Sequence, residues 1–121
     1  MENMFADILS DLGGGLVGGM GMAPCAEIGI NHGLFQPAHG SAPDIMGKDL
    51  ANPTAMFLSA AMMLEWLGQK YQNESLLNAA RLLESKIEEG FRFKRTQPKE
   101  FGGPHGCSEQ TRNLLEILKD L

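Results

Sequence analysis

The chain has 121 residues, 43% of them hydrophobic and 21% charged, the balance of a globular domain rather than a disordered one. Ten basic against 15 acidic residues give a net charge of −5, and the longest basic cluster is Arg92, Lys94 and Arg95, so nucleic acid is not an expected partner. No 18-residue apolar span is free of charge, Glu2, Asp7 and Asp11 occupy the start where a signal peptide would be basic, and two cysteines, Cys25 and Cys107, make neither a disulfide framework nor a zinc quartet; a reducing cytoplasm is expected.

A first helix is expected over residues 3–12, with Asn3 as its cap. The run from Gly13 to Gly21 that follows is too rich in glycine to favour a helix and permits close backbone approach. A short strand is expected around Leu34-Phe35, ended by Pro37, and residues 39–52 read as a long loop, a length more often functional than not. The clearest helix runs from Pro53 to Leu67, with Asn52 as cap, Pro53 in the first helical position and Gly68 as stop. Its body is apolar nearly all round apart from Glu65, which predicts burial on most sides. A further helix spans 74–89, capped by Asn73 and ended by Gly90, with Leu76, Leu77, Ala80, Leu83 and Ile87 as its apolar stripe. A last helix follows Ser108, with Leu114, Leu115, Ile117 and Leu118 on one face. The whole reads as mostly helical with little strand.

Three groups of residues invite a chemical reading. Asp7 and Asp11 stand four apart, on one face of the first helix, where two like charges repel unless a hard cation such as Mg²⁺ or Mn²⁺ lies between them. Two solvated acids near a helix start is the alternative. His39-Gly40-Ser41-Ala42-Pro43-Asp44 combines an imidazole, small residues with free backbone N–H groups and a carboxylate, a set able to hold an adenosine; a turn built on Pro43 and Asp44 is the alternative. The glycine run contains Gly13, Gly15 and Gly18 in G-x-G-x-x-G spacing, but a helix rather than a strand precedes it, so a dinucleotide fingerprint is rejected. His32 and His105 read as surface loop residues.

Asn3 to Asp11, Leu34 to Ile45, and Ala51 to Ala55 with Leu58 to Leu64, taken in that order and spacing, resemble three signature blocks of the β-decarboxylating dehydrogenases, the isopropylmalate, isocitrate and tartrate dehydrogenase family. The resemblance covers most of the chain and is most specific over residues 3–68. It implies that Asp7 and Asp11 are ligands of Mg²⁺ or Mn²⁺, and that His39, Gly40, Ser41, Ala42, Asp44 and Asn52 line the adenosine half of a nicotinamide cofactor. Asp44 followed by Ile45 implies NAD rather than NADP, because a carboxylate accepts a bond from the free ribose 2′-hydroxyl and repels a 2′-phosphate. Gln36 departs from the family's usual Glu, and Lys99 to Gly103 is a loose form of its D-L-G-G segment.

The resemblance further implies an α/β fold, mostly helical in this segment with a few short strands, of which residues 1–121 are a single partial domain, the C-terminal third, with Met1 in mid-domain. The expected function is a segment of an NAD-dependent, metal-assisted dehydrogenase of a small 2-hydroxy acid, homodimeric when whole. Its proton-transfer residues belong to the family's upstream part, and no catalytic residue is expected in this segment. The isolated chain is therefore expected to be inactive and to leave apolar surface bare, parts of helix 53–67 included. The alternative is a non-catalytic module that binds nucleotide or a dehydrogenase subunit.

Overall fold

The computed structural model describes residues 2–120; Met1 and Leu121, the ends of the expected 1–121 unit, lie outside the described residues. Four helices and one hairpin make up the described residues: α1 (Asn3–Leu16), β1 (Pro24–Ile28), β2 (Gly33–Pro37), α2 (Thr54–Lys70), α3 (Glu74–Arg92) and α4 (Cys107–Lys119), with 3₁₀ turns at Met20–Met22, Pro43–Ile45 and Lys99–Phe101. The mixed α/β class is as expected, and among the described residues no helix is long and apolar enough to cross a membrane.

α1 continues through the glycines that were expected to end it. Val17 N–H still donates to Gly13 O at 3.2 Å and Gly19 N–H to Gly14 O at 2.9 Å, while buried Gly14 lets the helix approach Ala23. The cap position falls on Glu2, and Asn3 sits inside the helix, donating to Asp7.

Strand β1 was not anticipated. It pairs antiparallel with β2 in the register Pro24↔Pro37 to Ile28↔Gly33, and Gly29 N–H closes the hairpin on His32 O at 2.8 Å. Its sequence, with proline first and only Glu27 polar, lacks the alternation that marks a strand.

α2 is the central element, packed on the hairpin on one side and on α3 on another. Phe35 of β2 lies 5.8 Å from Trp66 of α2, and Lys70 Nζ caps the Trp66 ring at 4.4 Å. The Ser59 hydroxyl is within hydrogen-bond distance of Gln36 O (2.9 Å) and Ala55 O (2.8 Å), which fixes the end of β2 against α2 just before the long loop begins. The start of α2 is one residue later than expected. Pro53 takes the cap position, and the Asn52 side chain still does a cap's work, Oδ1 accepting from Thr54 N–H at 3.1 Å.

Neither Gly68 nor Gly90 stops its helix. Both lie at crossings: a Cβ on Gly68 would stand 2.7 Å from Leu77 Cδ2 of α3, and one on Gly90 would stand 2.6 Å from Thr96 Oγ1. Asn73 caps α3 as expected, accepting from Ser75 and Leu76 N–H. α4 starts at Cys107, a residue before Ser108, and its Leu115 faces solvent rather than sharing the buried face of Leu114 and Ile117. The core is small: Ala23, Ala55, Ala61, Ala80, Ile87, Leu114 and Ile117.

Burial of α2 on most sides holds over residues 54–67 with three exceptions, one of them the charged Glu65. Met56 and Met63 are exposed, as the bare surface expected of an isolated segment requires. α1 goes further: Met4, Phe5, Ile8, Leu9, Leu12 and Leu16 are all exposed, a stripe at helical spacing with nothing packed on it among the described residues.

Candidate functional site

The loop between β2 and α2 walls a cavity of about 860 Å³, within the range of small-molecule clefts. His39, Gly40, Ser41 and Ala42 line it from the loop's first half, and Asp49, Ala51 and Asn52 from its second. Met20 and Gly21 enter from the glycine-rich connection, and Glu100, Cys107 and Ser108 from the C-terminal segment. Five of the six residues expected to cradle an adenosine thus share one cavity. Asp44 is the exception; it is exposed in the first turn of Pro43–Ile45, flanked by the lining residues Ala42 and Ile45.

The loop holds its shape by local chemistry. His39 Nδ1 lies 2.9 Å from Gly40 O, a contact that requires a proton on Nδ1 and leaves Nε2 of the neutral ring as an acceptor. Ala42 adopts a left-handed conformation (φ 43°), which turns the chain into the Pro43–Ile45 turn at a cost of order 1 kcal/mol.

Sequence reading missed Asp49. Its Oδ1 accepts from Ser108 N–H at 2.8 Å and from Ser108 Oγ at 2.9 Å, so a loop carboxylate caps the first turn of α4 across 59 positions. The Ser108 backbone bond, then its hydroxyl, hold the Asp49 carboxyl below its ordinary value against a small opposing effect of burial. Gly106 is required there, because a Cβ would collide with Asp49. Burial, and then the Asp49 charge, push the Cys107 thiol up, so it stays protonated at neutral pH. An aspartate two residues after Gly47 is a turn signal, but nothing local points to a partner so far along the chain.

Asn52 is a node rather than a free ligand. It is 7% exposed; Oδ1 accepts from Thr54 N–H and from Thr54 Oγ1 at 2.7 Å, and Nδ2 donates to Glu100 Oε2 at 2.9 Å. His105 is corrected from surface residue to structural acceptor: half-buried, its Nδ1 takes Gln97 N–H at 2.9 Å. His32 is exposed as expected.

Asp7 and Asp11 do not line the cavity. Both are exposed on α1, where their spacing puts them one turn apart, and Asp7 Oδ2 accepts from Asn3 Nδ2 at 3.2 Å. Among the described residues no group of three or more His, Cys, Asp or Glu side chains gathers to hold a metal. Two exposed, hard oxygen donors a turn apart fit Mg²⁺ or Mn²⁺, which bind through one or two carboxylates and keep their other positions for water or substrate.

Fold and cavity together define a class: a helix-rich α/β segment that presents a loop-walled, nucleotide-sized cavity. The model of the isocitrate/isopropylmalate dehydrogenase family matches residues 1–109, and the chain belongs to that family. It is 52% identical over 119 residues to the 3-isopropylmalate/3-methylmalate dehydrogenase of Methanocaldococcus jannaschii, covering 98% of this chain and 33% of that protein. It is 42% identical to the alpha subunit of human mitochondrial NAD isocitrate dehydrogenase, over all of this chain and 31% of that one. The crystal structure of isocitrate dehydrogenase from Methylococcus capsulatus superposes with a TM-score of 0.86 at 39% identity, over 97% of this chain and 33% of the other. The chain therefore spans about a third of the length of the relatives it matches.

Proposed function

We propose that this chain is the C-terminal third of an NAD-dependent, divalent-metal-assisted dehydrogenase that oxidises and decarboxylates a 2-hydroxy acid of the isopropylmalate, isocitrate or tartrate type. The observation that carries the reading is the meeting of His39, Gly40, Ser41, Ala42 and Asn52 around one cavity of nucleotide size. In this reading His39 Nε2 accepts from the adenine amino group, and the small residues after it let their backbone approach the ribose. Asp44, beside the cavity, accepts from the ribose hydroxyls and repels a 2′-phosphate. Asp7 and Asp11 hold Mg²⁺ or Mn²⁺. A metal held there would supply polarisation of the substrate's 2-hydroxyl, and a nicotinamide in the cavity would supply the hydride acceptor. Residues 1–121 form one partial domain, and the bare stripe of α1 supports assembly into the homodimer of the whole enzyme. The free thiols Cys25 and Cys107 support a cytoplasmic setting.

One observation favours a second reading, a module that binds nucleotide without turnover. Neither tyrosine nor lysine lines the cavity, and the chain's single tyrosine, Tyr71, is exposed beyond α2.

Calorimetric titration with ADP-ribose and with its 2′-phosphorylated form tests the nucleotide assignment. Tighter binding of the unphosphorylated form is expected, and Asp44→Lys with Ile45→Tyr shifts the preference toward the 2′-phosphate by roughly tenfold, the worth of one charge-assisted bond. An unchanged ratio in a folded double mutant refutes it.

A further inference from the structure

We propose that Glu100 is a positioning residue of the cavity, acting through Asn52. This rests on the nucleotide reading above.

Glu100 comes from the turn Lys99–Phe101, 48 positions after Asn52, yet its Oε2 accepts from Asn52 Nδ2 at 2.9 Å. The orientation of the Asn52 amide is dictated by its neighbours. Thr54 N–H can only donate, so it must face Oδ1, and Nδ2 is left to donate to Glu100 Oε2. The remaining amide hydrogen has Met22 Sδ at 3.5 Å. Every polar atom of the buried side chain is thereby engaged.

The carboxylate also sits where side chains are excluded. A Cβ on Gly21 would collide with Glu100 Oε2 and come within 3.0 Å of Asn52, and one on Gly19 would stand 3.0 Å from Glu100 Oε1. Three segments distant in sequence close on this one carboxylate: the glycine-rich connection, the end of the long loop and the C-terminal turn. All three contribute walls of the same cavity. Removal of Glu100 would leave a donor of a 7%-exposed amide unpaired and untie the loop end from the C-terminal turn, while Thr54 keeps its hold on Asn52 Oδ1.

The test uses the 121-residue chain. Its first arm reads the Asn52 side-chain amide by ¹H–¹⁵N correlation, with no nucleotide present; Glu100→Ala is expected to move that resonance, and Glu100→Gln, which keeps an acceptor oxygen in reach, to leave it nearer its original position. The second arm titrates ADP-ribose. Glu100→Ala should weaken binding roughly tenfold, and Glu100→Gln should restore it to within about threefold. Glu100→Asp keeps the charge but withdraws it by one methylene, so it should bind like the alanine variant; it also serves if Glu100→Ala fails to fold. An unmoved Asn52 resonance in Glu100→Ala, or wild-type affinity in a folded Ala or Asp variant, overturns the proposal. No binding of ADP-ribose by the wild type overturns the nucleotide reading and this role with it, and the first arm then shows separately whether Glu100 holds Asn52.

Discussion

Single residues in this chain act over long sequence separations, and Asp49 is the sharpest case. Its carboxylate stabilises the fold only when ionised, because its partners are the N–H and hydroxyl donors of Ser108. The folded value lies below the ordinary 3.8, so the contribution is fully present above about pH 4 and is lost as pH falls through the depressed value. Asp49→Ala is therefore expected to lower the urea midpoint at neutral pH and to flatten its fall on the acid side, whereas Asp49→Asn, which keeps an acceptor, lowers it less. Equal midpoints for wild type and Asp49→Ala between pH 3 and pH 7 would remove Asp49 from the capping role. This residue shows where the sequence stops being legible. His39 and Ser41 could be read because they stand close together in one short segment, Asn52 through its cap position and the family resemblance, and Asn73 because it caps its own helix. Asp49 and Glu100 find partners more than 45 positions away, and no local pattern announces them.

At the scale of elements, the glycines carry two opposite meanings that the sequence does not distinguish. Helix periodicity made α2, α3 and α4 visible, but the ends of α2 and α3 were misread because glycine was taken as a stop. Gly68 and Gly90 are contact points between helices, while Gly13 and Gly15 in α1 have open space where a Cβ would go. The same substitution should therefore change sign with position. Gly13→Ala and Gly15→Ala are each expected to gain about 0.5–1 kcal/mol from helix propensity. Gly68→Ala should lose about 1–2 kcal/mol, since the clash with Leu77 outweighs that gain. Chemical denaturation of the single variants checks it; stabilisation by Gly68→Ala would show that α2 and α3 can separate without cost.

For the whole molecule, accessible surface is the informative quantity. The chain exposes 8053 Å², where a compact monomer of 13.1 kDa exposes about 6,400 Å². α1 contributes to the difference with Met4, Phe5, Ile8, Leu9, Leu12 and Leu16, each more than half exposed on one face. The chain is expected to bind a hydrophobic dye while folded and to associate with rising concentration in sedimentation experiments. Ile8→Glu with Leu12→Glu should suppress both and leave the helical circular dichroism in place; a wild-type chain that stays monomeric and dye-free at high concentration would contradict this. The bare surface was legible from length and resemblance together, but its location on α1 required the structure.

The capping of α4 by the long loop couples two equilibria. Every opening of the first turn of α4 that lets its amides exchange with water must also release Asp49, and with it the loop whose first half carries His39 and Ser41. A nucleotide held by that loop taxes the opening by mass action, by RT ln(1 + [L]/Kd), or about 2.7 kcal/mol at a hundredfold excess over Kd. Amide exchange over Ser108–Thr111 should therefore slow when ADP-ribose is added, although those amides belong to another element, while exchange in α1 stays unchanged. Occupancy of the cavity becomes readable as the lifetime of a helix turn, and Asp49→Ala should disconnect the two.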